Sequence, residues 1–130
     1  MWPFKRKQVE STNKVFRLRA DQIRPLAMGL GGCTASHMIT CGGHKVGFMY
    51  REEPSHEHDS GWRFMSGRES DEYMQEPDNF AIHDVNTIAN YDAEIVPFLH
   101  APVGAAEVDG SLFGFRTHGV GGRGDQRFSR

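Results

Sequence analysis

The sequence predicts an α+β fold: a small antiparallel sheet, a meander of about three to five strands, with short helices packed on one face. Residues 60–66 alternate at the two-residue period of a strand and place Trp62 and Phe64 on the same face. Helix-start signals follow two of the strand candidates, at residues 66–72 and 84–91. Burying each aromatic ring contributes about 1.5–3 kcal/mol, so this strand is the predicted centre of the core.

A hairpin is predicted before this strand. Residues 33–41 and 44–52 have the composition of two strands, joined by Gly42 and Gly43. A glycine pair accepts the positive φ angles that a tight hairpin turn requires. The predicted core residues lie on the inward faces of strands and of one helix: Val46, Phe48, Tyr50, Trp62, Phe64 and Ile88.

The helices are predicted from their capping residues. Ser66 and Glu69 have capping-box spacing, so a helix is expected to begin there and to end before Pro77. Asp84 is positioned to cap a second helix over residues 85–91. The remaining strand candidates are residues 80–83 and 103–108.

Composition divides the chain into three parts. Residues 1–19 are basic and lack apolar periodicity, which predicts a flexible arm. Residues 20–109 form the predicted single domain, and residues 110–130 are a Gly- and Arg-rich segment predicted to be a flexible tail. No apolar run approaches the roughly 20 residues of a membrane-spanning helix, and no secretory signal is recognised near the N-terminus. We therefore expect a cytoplasmic protein without a membrane partner.

The net charge of −2 conceals an acidic central region. Residues 25–110 carry fourteen acidic side chains against four basic ones, whereas both ends of the chain are basic. Such a region disfavours nucleic acid and favours a protein partner with a basic surface, although ordinary solubility is an alternative explanation. The acidic residues predicted to contact this partner are Glu52, Glu53, Glu57, Asp59, Glu69, Asp71, Glu72 and Glu76.

Metal binding is the alternative chemistry. His56, His58 and Asp59 offer imidazoles and a carboxylate, but ligands so close together in one loop rarely converge on an ion. Asp71 and Glu72, together with Asp84 and Asp92, could also supply a catalytic carboxylate pair, although each suits a helix cap or a helix start. No nucleophile elbow or phosphate loop is present. We therefore expect no catalysis and no cofactor, with a metal-dependent enzyme or accessory protein as the alternative.

A polar cluster on the second predicted helix has two interpretations. Asn86, Asn90 and Tyr91 lie in a segment whose other face is apolar, beside Asp84 and Asp92. Asn and Asp most often bond to the backbone of turns and caps, so a structural role is favoured over recognition of a partner.

The motifs along the central region resemble the immunity protein 33 family. They are the runs Cys33–Thr40, His44–Pro54, Ser60–Gly67, Asp71–Met74 and Asp84–Asp92. The resemblance covers roughly residues 30–108 and implies a small bacterial cytoplasmic α+β protein that binds and neutralises the toxin of a polymorphic toxin system. It brings no catalytic residues. Arg68 stands where an acid is usual in the family, and a housekeeping interaction domain remains the other alternative.

Overall fold

The computed structural model describes residues 15–109 and the backbone of residues 111–114. The fold is α+β, as predicted, with a mixed and mostly antiparallel sheet. Its strands are β1 (Gly32–Ser36), β2 (Phe48–Arg51), β3 (Asp59–Met65), β4 (Phe80–Asp84), β5 (Ala105–Val108) and β6 (Ser111–Gly114). The α-helices are α1 (His37–Thr40), α2 (Asp71–Met74) and α3 (Val85–Tyr91), and 3-10 turns occupy Ala20–Gln22, Pro77–Asn79 and Ala93–Phe98.

The strand order is β4-β1-β3-β2-β5-β6. β1 and β3 run parallel, and the other neighbouring pairs are antiparallel. The predicted hairpin between residues 33–41 and 44–52 is therefore wrong, because β1 pairs with β3 and β4 and makes no ladder with β2. The predicted pairing of β2 with β3 is correct.

The glycine pair ends a helix rather than turning a hairpin. The Ser36 hydroxyl accepts a hydrogen bond from the Met38 amide at 3.1 Å and caps α1. After α1, the Gly43 amide donates to the Ile39 carbonyl at 3.1 Å, and Gly43 has φ of +79°. Glycine in this conformation is common where helices terminate. A glycine pair in the sequence is therefore compatible with a hairpin turn or with the end of a helix, and here it ends a helix.

The core lies between one face of the sheet and the elements α1, α3 and the turn Ala93–Phe98. Its buried residues are Cys33, Ala35, Ile39, Met49, Trp62, Phe64, Val85, Ile88, Ala89, Ile95 and Leu99. The Trp62 and Phe64 rings stack with centroids 5.9 Å apart. The Trp62 indole N–H donates to the Leu99 carbonyl at 3.1 Å, so the buried ring leaves no polar atom unsatisfied.

The predicted core residues do not all lie on this face. Trp62, Phe64 and Ile88 are fully buried in the core, and Val46 is partly buried against it. Phe48 and Tyr50 are instead half-buried on the opposite face of the sheet, which corrects their prediction as core residues. Pairing with β3 sets this arrangement: the β2 residue beside Phe64 is Met49, so the two aromatic residues that flank Met49 point the other way.

One helix begins later than predicted. Ser70, rather than Ser66, caps α2, and its hydroxyl accepts a hydrogen bond from the Tyr73 amide at 3.0 Å. The Glu69 carboxylate accepts from the Ser66 amide and hydroxyl at 2.8 and 2.9 Å, which closes a tight loop ahead of the helix. The predicted cap of α3 is confirmed, with Asp84 accepting from the Asn86 amide at 2.8 Å.

Part of the predicted N-terminal arm packs on the domain. The Arg17 amide donates to the Thr40 carbonyl at 2.8 Å, and the Leu18 amide donates to the Tyr91 hydroxyl at 3.0 Å. Residues 111–114 of the tail predicted for residues 110–130 instead form β6, which pairs with β5. The rest of the predicted arm, residues 1–14, and the rest of the predicted tail lie outside the described residues. Within the described part of the chain, no helix has the length and apolar character needed to cross a bilayer.

Candidate protein-binding surface

The eight acidic residues predicted to contact a partner lie in two groups at opposite ends of β3. The loop patch, on the loop that enters β3, comprises Glu52, Glu53, Glu57 and Asp59. The turn patch, after the end of β3, comprises Glu69, Asp71, Glu72 and Glu76. A seven-residue strand spans about 20 Å, so these residues form two separate patches.

Arg63 neutralises much of the loop patch. Its guanidinium donates to both Asp59 oxygens, at 3.0 and 2.9 Å, and to Glu52 at 2.7 Å. The hydrogen bond from Arg63 is the largest cause holding the pKa of Asp59 well below its usual range, and the same bond raises the pKa of Arg63. The Asp59 side chain is only 6% exposed, so it is not available to a partner.

Asp59 also organises the loop in front of it. The backbone amide and the hydroxyl of Ser55 donate to one Asp59 oxygen at 2.8 and 3.1 Å, and the Gly61 amide donates to the other at 2.9 Å. Within the loop patch, Glu52, Glu53 and Glu57 are exposed, but Glu52 is paired with Arg63. The loop patch therefore presents less negative charge to a partner than its sequence indicates.

The proposed metal ligands of this loop have other partners. His56 Nδ1 accepts a hydrogen bond from the His58 amide at 3.2 Å, and the His58 ring lies 3.3 Å from the Glu57 carboxylate. Asp59 is bound by Arg63. Across residues 15–109, no three His, Cys, Asp or Glu side chains are arranged to hold a metal ion.

The turn patch presents its charge more openly. Asp71 and Glu72 are exposed in the first turn of α2, and neither carboxylate bonds to another described residue. Glu69 is half-buried. Although burial alone raises its pKa, hydrogen bonds from Ser66 hold the pKa of Glu69 below its usual value. Glu76 accepts from the Asp78 amide at 3.2 Å and caps the turn Pro77–Asn79.

A solvent-open groove of about 1690 Å³ lies beside the turn patch. Its apolar lining includes Phe48, Tyr50, Met65, Met74 and Val108, and the turn Ala93–Phe98 also contributes Ile95, Pro97 and Phe98 to its wall. The Phe48 and Tyr50 rings are tilted against each other with centroids 5.5 Å apart. Arg68 and Glu69 of the loop before α2 also line the groove, so the apolar floor reaches the turn patch at Glu69.

The polar cluster on α3 binds the chain itself. The Asn86 side-chain oxygen accepts from the amides of Leu26 and Ala27 at 2.7 and 2.8 Å, and its amide nitrogen donates to the Arg24 carbonyl at 2.9 Å. Asn90 accepts from the Arg24 amide at 2.8 Å. The two side chains hold the segment before β1 against the helix, which is a structural role.

The sequence does not reveal the groove, because the alternation in β2 predicts Phe48 and Tyr50 as core residues. Alternation places both rings on one face of the strand but does not show which face of the strand is covered. The register of β2 with β3 identifies the face of β2 that points away from the core, because Tyr50 lies beside Arg63 there. A strand position that pairs with an arginine is more readily solvated than one that pairs with Phe64.

One comparison with known proteins gives a match. The sequence profile described as Immunity protein Imm33 domain matches residues 33–110. The matched region extends from β1 through β5 and includes both acidic patches and the residues that line the groove. No curated protein and no solved structure matches the chain.

Proposed function

Because the chain belongs to the Immunity protein Imm33 domain family, we propose that it neutralises a toxin protein in the bacterial cytoplasm by binding it, without catalysing a reaction. The turn patch makes the first contact with a basic surface of the toxin. Opposite charges on two partners raise the rate of association and fix their orientation. Binding then blocks the toxin by covering its surface.

The exposure of Asp71 and Glu72 is the observation that supports this proposal. Both carboxylates face solvent and have no partner among the described side chains or backbone groups. Met74, 42% exposed, lies one turn further along α2 and supplies apolar surface beside the charges. A charged rim next to an apolar contact is the usual anatomy of a protein interface.

Charge reversal tests the proposal. The double variant Asp71→Lys, Glu72→Lys is compared with the matched variant Glu53→Lys, Glu57→Lys, which reverses the two exposed charges of the loop patch that Arg63 does not pair. Binding is measured by surface plasmon resonance against the toxin encoded by the adjacent gene. We expect the turn-patch variant to weaken the affinity by about tenfold or more, mainly through the association rate, while the loop-patch variant changes it by less than about threefold.

Two outcomes contradict the proposal. If the wild-type protein does not bind that toxin, the assignment of partner is wrong. If the turn-patch variant binds as well as wild type, or if the loop-patch variant loses affinity instead, the turn patch is not the contact surface. Survival of cells that express the toxin together with each variant provides the functional measurement.

A further inference from the structure

The two faces of the sheet differ in what covers them. α1, α3 and the turn Ala93–Phe98 pack on the core face. On the opposite face, one row of neighbouring residues crosses five strands: Ile82, Thr34, Arg63, Tyr50 and Ala106. Beside it, Met65, Phe48 and Val108 form a second row across three strands. We name the sheet face that carries these two rows the open face.

The apolar surface of the open face is concentrated at one end. Tyr50 and the row of Met65, Phe48 and Val108 line the groove described above. Arg63 and its ion pair with Glu52 separate this end from the β4 edge. Ile82, on β4, is 79% exposed and lies beside Thr34, so it stands outside the groove.

Among the residues that the structure describes, the rim of the groove is predominantly acidic. Glu94 and Asp109 are exposed and line it together with Glu69 of the turn patch. The cation Lys45 lies 3.7 Å from the buried Asp92 and 3.9 Å from Glu94, so it offsets part of their charge and leaves Glu69 and Asp109 without a neighbouring Lys or Arg in an ion pair among the described residues. Among the described lining residues, Arg68 is the second basic side chain of the Lys or Arg type, after Lys45. This charge balance favours an occupant that carries positive charge.

We propose that the groove docks a basic segment of a protein partner that carries one large apolar or aromatic anchor residue, with Lys or Arg on either side of it. Under the proposed function, on which this inference rests, that segment belongs to the toxin. The anchor packs on the Phe48 and Tyr50 rings, and Met74, which is 42% exposed, adapts to its shape because methionine side chains are flexible. The flanking cations meet the carboxylates of the rim, as in interfaces where a few buried anchors dominate binding.

A pair of synthetic peptides tests the groove without the toxin. One has the sequence Lys-Leu-Lys-Phe-Lys-Leu-Lys, and the other replaces every Lys by Glu. Each is titrated into the 15N-labelled full-length protein while amide chemical shifts are recorded. We expect the basic peptide to shift the amides of Phe48, Tyr50 and Met65, and the acidic peptide to leave them unchanged. Shifts centred on residues 52–59, or no shifts, would overturn the proposal.

Two single substitutions test the same site in the complex. Val108→Lys places a charge in the groove, whereas Ile82→Lys places one on the same sheet face outside it. Val108 and Ile82 are 39% and 79% exposed strand residues, so both variants are expected to fold, and circular dichroism checks this. We expect Val108→Lys to weaken binding of the basic peptide and of the toxin by about tenfold or more, and Ile82→Lys by less than about twofold.

The outcomes separate this inference from the proposed function. If Val108→Lys binds the basic peptide and the toxin as well as wild type does, the proposal that the groove is the docking site is overturned, even if wild-type protein binds the toxin. Failure of wild-type protein to bind the toxin, with the basic peptide still bound in the groove, overturns the proposed function and supports the groove. If Val108→Lys and Ile82→Lys lose the same affinity, the loss comes from general charge repulsion, and the proposal that the groove is the docking site is overturned.

Discussion

Arg63 and Asp59 are joined by two parallel hydrogen bonds, from Nη1 to Oδ1 at 3.0 Å and from Nη2 to Oδ2 at 2.9 Å. This bidentate geometry is the strongest form of arginine–carboxylate pair. Because Asp59 also accepts from Ser55 and Gly61, the pair fixes the loop that enters β3. Asp59, which the sequence offers both as a possible metal ligand and as a predicted partner contact, is part of the framework of the fold.

The first prediction concerns this pair. Asp59→Asn keeps the shape of the side chain but removes its charge and part of its capacity to accept hydrogen bonds. We expect the free energy of unfolding to fall by about 2–3 kcal/mol, because the guanidinium of Arg63, only 13% exposed, loses its main partner. Urea denaturation measures the change. The exposed control Glu53→Gln is expected to change stability by less than about 0.5 kcal/mol, and an equal effect of the two variants would contradict the prediction.

The second prediction concerns Asn86. Asn86→Ala leaves the Ala27 amide without its side-chain partner and removes one of the two side-chain donors to the Arg24 carbonyl, the other being Asn90. We expect a loss of about 1–3 kcal/mol in the free energy of unfolding, together with faster hydrogen exchange at the Ala27 amide. The measurement is native-state exchange followed by NMR. An unchanged exchange rate at Ala27 would show that the clamp between α3 and the segment before β1 does not hold that segment.

Local signals made several elements predictable. The alternation around Trp62 and Phe64 identified β3 as the centre of the core, and Asp84 correctly marked the start of α3. Each of these features depends on residues within a few positions of one another. The resemblance to the immunity protein 33 family, carried by motifs between residues 33 and 92, agrees with the profile match to residues 33–110.

The face of β2 was not predictable, because its determinants are distant in sequence. Arg51 points to the core side of β2, where its guanidinium donates to the carbonyls of Ser60 and Ala101 at 2.9 and 2.8 Å. It also lies over the Trp62 ring at 5.7 Å. The composition of β2 does not show whether Phe48 and Tyr50 or Met49 and Arg51 face the core. The partners of Arg51 become visible only in the tertiary structure.

The candidate site was predicted only in part. The acidic residues were identified, but the sequence does not show that β3 separates them or that Arg63 compensates two of them. Pairing of β2 with β5 also brings Val108 beside Phe48, and this contact between residues sixty positions apart builds the groove. The charge composition therefore predicted the chemistry of the surface, while its location required the fold.

The third prediction uses a close approach of two backbone segments. A Cβ atom at Gly47 would overlap the carbonyl oxygen of Ser66. Neighbouring hydrogen bonds hold both chains in place, from Gly47 to the Met65 carbonyl and from Asp109 to the Gly47 carbonyl, each at 3.0 Å. We expect Gly47→Ala to lower the free energy of unfolding by about 1–3 kcal/mol, measured by urea denaturation.

The control for Gly47 is Gly32→Ala. The nearest atoms to a Cβ at Gly32 lie 3.5–3.8 Å away, at ordinary contact distances. Because no atom has to move, we expect the control to cost less than about 1 kcal/mol. If both variants lost the same stability, the cost would come from glycine replacement in general rather than from the contact with Ser66.

The fourth prediction concerns pH. His83 on β4 lies against Phe16, whose ring meets it edge-on with centroids 5.1 Å apart, and beside His37 of α1. His83 Nε2 is buried, and no described residue forms a hydrogen bond with it. Burial lowers the pKa of His83 below its usual value, and the electrostatic influence of His37 acts in the same direction. The folded state therefore favours the neutral imidazole.

Acid should destabilise the protein through this group. The unfolded chain binds a proton at His83 near its ordinary pKa of about 6.5, whereas the folded chain binds it only at lower pH. Stability is therefore complete above about pH 6.5 and falls as the pH is lowered from there through the folded pKa, with a slope of at most about 1.4 kcal/mol per pH unit. In urea denaturation between pH 7.5 and 5, His83→Gln should reduce this slope and the exposed control His100→Gln should not. Identical slopes in wild type and His83→Gln would show that a different group is responsible for the acid sensitivity.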